Sequence, residues 1–203
     1  MKREQDHFGR RAKREGFPSR AIYKIQEIDR RLGLLRRGQR VLDLGAAPGS
    51  WTLHACDRVG ATGVVVAVDL QPLTVPLPPH AHVLCGDMLA MDPADLERLA
   101  GGAFDVVLSD MAPNTSGQRH RDQLRSHELY MRALTTAEAV LAPGGSFVGK
   151  IFQGPDNEAA RAATRALFAQ VRGLKPDASR KESYEIFLAG IGRRSATASK
   201  RAT

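Results

Sequence analysis

Acidic side chains stand where several predicted strands end. Short runs rich in β-branched residues recur along the chain, and an aspartate lies at or just after four successive ones, at Asp43, Asp69, Asp87 and Asp110. In an open parallel sheet the carboxyl ends of the strands share one edge, and ligands bind there. One such aspartate is commonly a loop or cap residue. Four of them predict a polar binding site at that edge.

The turn after the first predicted strand has the composition of a ligand-binding loop. It reads Gly45-Ala46-Ala47-Pro48-Gly49 and opens a helix, so the backbone can approach a ligand closely. A dinucleotide-binding fold also has a glycine turn here and an acid about 20 residues later. That alternative is disfavoured, because the turn lacks the second glycine that admits a pyrophosphate and because Asp43 would repel phosphate. An acid at this position suits a ligand with a cationic amino-acid part.

These positions resemble the S-adenosylmethionine pocket of class I methyltransferases. The resemblance implies that Asp69 binds the ribose and that Asp87 and Met88 lie beside the adenine. The alternation of segments agrees with it, since strands are predicted at 41–44, 64–69, 83–85, 104–109, 146–152 and 185–189, and helices at 21–32, 122–141 and 156–171. We therefore expect a Rossmann-like α/β fold with a doubly wound, mostly parallel sheet and helices on both faces.

Composition narrows the class of protein. The chain has 203 residues, of which 42% are hydrophobic and 26% charged, as in one globular domain. It has no apolar run of membrane-spanning length, and its charged N-terminus does not resemble a secretory signal. Two cysteines and six histidines show no disulfide or metal-ligand spacing. We expect a cytoplasmic monomer without metal.

The charge distribution indicates a polyanionic partner. The formal net charge is +8, and the whole excess lies in residues 1–40, while the rest of the chain sums to zero. We expect a basic arm over 1–20, the catalytic domain over 21–192 and a disordered basic tail over 193–203. The residues predicted to contact the phosphates of such a partner are Arg10, Arg11, Lys13, Arg14, Arg20, Lys175, Arg180 and Lys181.

The residues at the end of the fourth strand indicate which kind of chemical group accepts the methyl group. Residues 109–114 read Ser-Asp-Met-Ala-Pro-Asn, without the aromatic side chain that typically follows in adenine amino methyltransferases. Cytosine carbon methylation needs a nearby cysteine nucleophile, whereas Cys56 and Cys85 lie elsewhere. A hydroxyl acceptor fits better, and Lys150, inside an apolar strand, is the candidate base. The other interpretation of Lys150, an edge-strand lysine that extends to solvent, stays open.

Four segments that span nearly the whole chain resemble the FtsJ/RrmJ family of RNA ribose 2′-O-methyltransferases: 19–28, 43–51, 109–117 and 141–154. That family uses a Lys-Asp-Lys-Glu tetrad, which the resemblance transfers to Lys24, Asp110, Lys150 and Glu185. Glu182 is the competing glutamate, and Glu185 is preferred because it directly precedes the last strand. The resemblance completes a predicted cofactor set of Asp43, Gly45, Gly49, Trp51, Asp69, Asp87, Met88 and Asp110. Ser50 departs from the glycine that bacterial members tend to have.

The resemblance implies S-adenosylmethionine-dependent methylation of a ribose 2′-hydroxyl, on a uridine of ribosomal RNA within the large subunit. Transfer RNA is the alternative substrate. Lys150 would accept the hydroxyl proton, or else both lysines stay charged and orient the hydroxyl. A non-catalytic ribosome-assembly factor is an alternative of another class. It is disfavoured because a binding module has no need for a lysine inside an apolar strand beside acids.

Overall fold

A computed structural model describes residues 7–180 and 182–195. Within them the strands are β1 (Arg40–Leu44), β2 (Val64–Asp69), β3 (Ala81–Cys85), β4 (Phe104–Ser109), β5 (Leu141–Phe152), β6 (Phe168–Leu174) and β7 (Glu185–Arg193). The helices are α1 (His7–Arg14), α2 (Ala21–Leu32), α3 (Ser50–Val59), α4 (Pro93–Ala100), α5 (Arg119–Val140) and α6 (Asn157–Leu167). None of these helices is long and apolar enough to span a bilayer.

The strands form one sheet in the order β3-β2-β1-β4-β5-β7-β6. All of its ladders are parallel except the two that β7 makes, which are antiparallel to β5 and to β6. The prediction of a doubly wound, mostly parallel sheet is confirmed. The order of strands reverses between β1 and β4, and this is the point at which such sheets bind ligands.

The sheet has an apolar core on each face. Side chains alternate between the faces along a strand, so residues two apart share a face. The face toward α2 and α3 carries Val106 and Leu108 of β4, Val148 of β5 and Phe187 of β7. By the same alternation, positions 110, 150 and 185 belong to that face. The opposite face packs against α4, α5 and α6.

One predicted helix is wrong over its last four residues. The helix predicted over 156–171 ends at Leu167, and the chain continues as the edge strand β6. Only Phe168 and Leu174 of this strand are buried, so the period of two that marks a strand is hardly visible in the sequence. Pairing with β7 decides the conformation instead.

The basic arm is folded onto the domain. Its helix α1 buries Ala12, and Phe8 and Phe17 pack against the core beside Tyr23. The predicted tail begins too early, because Arg193 still belongs to β7 and the N–H of Arg194 donates to Leu167 O. Residues 196–203 and Lys181 lie outside the described part of the chain.

Asp29 fastens α2 to α3. One of its carboxylate oxygens accepts the N–H of Leu35 at 2.8 Å, and the other lies 3.0 Å from His54 Nε2 and 2.9 Å from Arg58 Nε. The side chain is 4% exposed. Burial alone would raise the pKa of Asp29, but these hydrogen bonds and the two basic side chains hold it below its ordinary value. The position of α2 therefore depends on an ionised, buried carboxylate.

We expect Asp29→Ala to lower the free energy of unfolding by about 2–4 kcal/mol, because it leaves the buried Leu35 N–H and His54 without their acceptor. Urea unfolding monitored by circular dichroism measures this loss. The control is Glu158→Ala, which removes the exposed ion pair with Arg165 and should cost less than about 1 kcal/mol. Equal losses in the two variants would contradict the role of Asp29.

Candidate active site

Two lysines and two carboxylates meet at the carboxyl edge of the sheet. Lys24 Nζ lies 2.5 Å from Glu185 Oε1, and Lys150 Nζ lies 3.0 Å from Asp110 Oδ1. Lys150 also donates to the carbonyl oxygen of Asp110 at 2.5 Å. None of the four side chains is more than 17% exposed. The structure thus brings together all four residues of the predicted tetrad, and Lys150 does not extend to solvent.

The direction of β7 explains how Glu185 reaches the others. β4 and β5 are parallel, so Asp110 and Lys150 lie near the ends of neighbouring strands. β7 runs the opposite way, and its first residue, Glu185, pairs with Phe152 near the end of β5. The competing Glu182 is exposed and lies outside the strand.

Lys24 reaches the edge from α2, across an aromatic support. Its Nζ lies 5.9 Å from the centroid of the Phe187 ring, and that ring packs against Trp51 at 5.5 Å between centroids. Trp51 Nε1 in turn donates to the carbonyl oxygen of Ala21 at 3.0 Å, at the start of α2. These contacts hold the lysine above the sheet.

Charge pairing keeps Glu185 ionised inside the protein. Burial would raise the pKa of Glu185, but the ion pair and hydrogen bond with Lys24, together with the charge of Lys150, lower it below its ordinary value. The cluster is thus a compact set of charges with little exposure to water. Such a set can orient a polar group of a substrate and move a proton from it.

A cleft of about 530 Å³ opens beside the cluster, on the side of β1 and β2. Its size is typical of a small-molecule site. Its wall contains Gly45, Ala47, Val68, Asp69, Leu70, Gln71, Gly86, Asp87, Met88, Asp110, Met111, Ala112, Pro113, Asn114, Leu129 and Arg132. Asp110 belongs both to this wall and to the charged cluster, so the two are one continuous site.

Comparisons with known proteins agree on one family. The family model described as FtsJ-like methyltransferase matches residues 17–193. The chain belongs to this family. It is 53% identical to ribosomal RNA large subunit methyltransferase E of Sorangium cellulosum, over 94% of this chain and 89% of that protein. It is 47% identical to the protein of the same name from Oleidesulfovibrio alaskensis, over 95% of this chain and 93% of that one.

Solved structures place the fold among methyltransferases. A crystal structure from Plasmodium falciparum, described as a ribosomal RNA methyltransferase, superposes with a TM-score of 0.76 at 25% identity, over 87% of this chain and 98% of that one. Human methyltransferase-like protein 13 in complex with SAH superposes with a TM-score of 0.57 at 16% identity, over 80% of this chain and 77% of that one, which supports the fold alone. The Rossmann-like class I fold is thereby confirmed.

The structure divides the predicted cofactor residues of this FtsJ-like chain into two groups. Those that line the cleft are Gly45, Asp69, Asp87, Met88 and Asp110. Those that are buried and do not belong to its lining are Asp43, Gly49 and Trp51. Gly49 has a φ of 111°, and a Cβ there would lie 2.4 Å from Val75 Cγ2. The absence of a side chain therefore lets the turn over 45–49, called the cofactor turn below, pack against the proline-rich loop over 71–79. Trp51 supports Phe187, as described above.

Asp69 and Gly45 shape the cleft for a ligand. One carboxylate oxygen of Asp69 accepts the N–H of Ala47 and the other accepts the N–H of Gln71, at 2.9 and 2.8 Å. These bonds fix the carboxylate, and its remaining lone pairs can accept from hydroxyl groups. Gly45 has a φ of 75°, and a Cβ there would lie 2.6 Å from Met111 Cγ. The turn and the loop after β4, which contains Met111, can touch only because Gly45 has no side chain.

Sequence reasoning missed the contribution of α5. Leu129 and Arg132 enter the cleft from the middle of this helix, where no strand end or turn signal marks them. It also missed Asp122, whose Oδ1 accepts both the N–H and the hydroxyl of Ser116 at 2.8 Å. That pair of bonds fixes the loop between Asp110 and α5. The part of the chain described contains no cluster of His, Cys, Asp or Glu side chains able to hold a metal ion.

Asp43 is fully buried beneath the cofactor turn. Its Oδ2 accepts the hydroxyl of Thr52 at 2.7 Å, while its Oδ1 has no hydrogen-bond partner among the described residues. Burial raises the pKa of Asp43 to about 7. The hydrogen bond from Thr52 opposes this rise, and the charges of Asp110 and Asp69 add smaller increases. Below that pH this carboxyl carries a proton, so it acts as a packing group under the turn.

The buried carboxyl predicts a specific dependence of stability on pH. Its pKa is raised above the unfolded value of about 3.9, so its contribution to stability is full below that value and is lost as the pH rises through about 7. We therefore expect Asp43→Asn to gain stability relative to the wild type between pH 5 and pH 8, as measured by urea unfolding. Asp57→Asn, at an exposed position of α3, is the control. A difference for Asp43→Asn that is the same at both pH values would contradict the assignment.

Proposed function

We propose that this protein transfers a methyl group from S-adenosylmethionine to a ribose 2′-hydroxyl of ribosomal RNA in the large subunit. The observation that carries the proposal is the junction at Asp110, where a small-molecule cleft opens onto a Lys-Asp-Lys-Glu cluster. Relatives at 53% and 47% identity are named ribosomal RNA large subunit methyltransferases, which supports the choice of RNA. A ribosomal substrate implies action in the cytoplasm.

The cleft suits S-adenosylmethionine. Asp69 would bind the ribose hydroxyls, and Asp87 and Met88 would lie beside the adenine. Gly45 and Met111 both line the cleft and lie in close contact, so the turn and the loop after β4 form one continuous wall for the ligand. When bound, this cofactor supplies an electrophilic methyl group on a sulfonium. Because the pKa of the buried Asp43 is about 7, this carboxyl is mostly protonated at pH 6 and below and adds little charge to the site there.

The tetrad prepares the acceptor. A ribose hydroxyl is a weak nucleophile and must lose its proton at or near the transition state. Lys150, next to the cleft through its contact with Asp110, is the proposed proton acceptor. For this step the Lys150 ammonium first releases its own proton to solvent. The neutral amine then takes the hydroxyl proton, and the Asp110 carboxylate stabilises the ammonium that forms again. Lys24 and Glu185 form the second ion pair and hold the hydroxyl in position from the side of α2.

Three of the predicted RNA-binding cations meet in one groove. Lys13, Arg20 and Arg180 come from separate segments and line a depression of about 710 Å³. Its other wall is the proline-rich loop, through Thr74, Val75 and Pro76. Arg11 is engaged differently, because it pairs with Glu15 at 2.7 Å and lies over the Tyr23 ring. We propose that the groove holds the RNA backbone behind the cofactor turn.

We expect Lys150→Ala and Asp110→Ala to lower kcat by about a hundredfold or more, as the loss of a general base does. Both variants should keep the wild-type circular dichroism spectrum, although the uncompensated partner charge should lower their melting temperature. Lys150→Arg tests the role of the proton. Arginine remains protonated, so this variant should be as inactive as Lys150→Ala. Activity retained by Lys150→Arg would show that the lysine only orients the hydroxyl.

The product distinguishes the candidate reactions. The protein is incubated with methyl-labelled S-adenosylmethionine and either unmodified large ribosomal subunits or unmodified transfer RNA, and the RNA is then hydrolysed in alkali. A methylated 2′-hydroxyl cannot attack the adjacent phosphate, so we expect label in alkali-resistant dinucleotides from large subunits. Label in mononucleotides would indicate base methylation. Label only in transfer RNA would show that transfer RNA, and not ribosomal RNA, is the substrate. No label in either RNA would favour the non-catalytic assembly factor.

Neutralising the groove should weaken RNA binding in a salt-dependent way. The triple variant Lys13→Ala, Arg20→Ala and Arg180→Ala should reduce the slope of log K against log salt by about 2–3, since each lost phosphate contact removes roughly 0.7–0.9. Fluorescence anisotropy at several salt concentrations measures this slope, and cofactor affinity should not change. The control variant replaces Arg98, Arg165 and Arg172, which are exposed on α4, α6 and β6. An unchanged slope in the groove variant would refute the assignment.

A further inference from the structure

Beyond the tetrad, the carboxyl edge of the sheet carries a cluster of planar side chains that the proposed reaction does not yet use. The Tyr184 ring packs against Phe152, with 4.8 Å between centroids and 72° between planes. The guanidinium carbon of Arg119 lies 5.4 Å from the centroid of the Tyr184 ring, within cation–π range. We call Phe152, Tyr184 and Arg119 the aromatic shelf.

The shelf adjoins the tetrad through the backbone. Tyr184 directly precedes Glu185, and Phe152 follows Lys150 by two positions, so Phe152 shares its face of β5. The N–H of Gln153 donates to the carbonyl oxygen of Tyr184 at 2.7 Å, which extends the β5–β7 ladder to the shelf. Phe152 is buried, Tyr184 is half-buried and Arg119 is exposed. The shelf is therefore anchored at its base and accessible to solvent at its outer end.

The order of strands places the shelf on the side of Lys150 that faces away from the cleft. The cleft belongs to the ends of β1, β2 and β4, through Gly45, Asp69 and Asp110. Lys150 comes next along the edge, on β5, and the shelf lies further on, at the ends of β5 and β7. In a displacement the acceptor approaches from the side opposite the leaving group. A nucleotide whose hydroxyl faces Lys150 from that side extends over β5 and β7.

A nucleotide placed there needs a partner for its base. A base that leaves the stacking of the RNA loses a few kcal/mol, and proteins offset that loss with aromatic rings or arginine planes. The basic groove behind the cofactor turn offers cations for phosphates, whereas the shelf offers planes. Resting on the proposed function, we propose that the aromatic shelf stacks the base of the nucleotide that receives the methyl group, with Arg119 and Tyr184 forming the contact surface and Phe152 supporting it.

Steady-state kinetics with limiting unmodified large ribosomal subunits and saturating S-adenosylmethionine test this role. Tyr184→Ala and Arg119→Ala should each lower kcat/KM for RNA by about tenfold to a hundredfold, the range expected for one lost stacking contact. Tyr184→Phe keeps the ring and should stay near the wild-type rate. Arg121→Ala is the matched control, because it removes the same charge from an exposed site two residues along α5. It should also stay near the wild-type rate.

Three further readouts separate stacking from other roles. Cofactor affinity and the melting curve should be unchanged in Arg119→Ala, whose side chain is exposed, even if Tyr184→Ala disturbs the fold. The salt dependence of RNA binding should also be unchanged, whereas a phosphate contact would reduce its slope by about 0.7. Replacement of Arg119 by lysine keeps the charge and loses the plane, so we expect most of the Arg119→Ala defect to remain.

The proposal is overturned if Arg119→Ala acts at the wild-type rate, if Tyr184→Phe is as impaired as Tyr184→Ala, or if Arg119→Ala reduces the salt slope. Its failure is distinct from that of the proposed function. If the wild type gives no alkali-resistant labelled dinucleotides, the methyl acceptor itself is misassigned. If the wild type gives them and the shelf variants match it, only the base contact is wrong.

Discussion

The site depends on the pairing of four buried charges at one edge of the sheet. Taking an isolated ammonium or carboxylate out of water costs several kcal/mol, so none of these groups is stable there alone. Lys24 is held by Glu185 and Lys150 by Asp110, at distances of 2.5 and 3.0 Å. Removing one member leaves its partner uncompensated. The positions of β4, β5, β7 and α2 are therefore constrained together.

The antiparallel strand β7 makes this pairing geometrically feasible. A seventh strand in the parallel direction would begin at the opposite edge, remote from Lys150. Because β7 runs against β5, its first residue lies beside the end of β5 and its neighbour Tyr184 extends the edge further. Helix α2 supplies the remaining lysine. The position of this helix is fixed by the contacts of Asp29 and by the hydrogen bond from Trp51 to Ala21. The strand order thus places the cofactor cleft, the charged cluster and the aromatic shelf in a row.

The cofactor turn is also the point where the arm meets the site. The hydroxyl of Ser50, directly after this turn, lies 2.8 Å from the hydroxyl of Ser19, just before α2. Gly49 in the same turn touches Val75 of the proline-rich loop, which forms one wall of the basic groove. The segment expected to hold RNA and the segment expected to hold the cofactor therefore share direct contacts.

The sequence by itself determined the class of fold, and its resemblance to the FtsJ family predicted the four charged residues that the structure brings together. Strand periodicity, the small-residue turn and the acids after the strands are local signals, because they follow from backbone geometry and from the position of strand ends. The sequence pattern misassigned β6, because the residues between its two buried ends are mostly exposed and its conformation comes from pairing with β7. Only the tertiary structure separated Gly45 and Asp69, which line the cleft, from Asp43, which lies buried beneath it. Burial, pairing partners and the approach of α5 depend on residues far apart in the chain, and no local pattern encodes them.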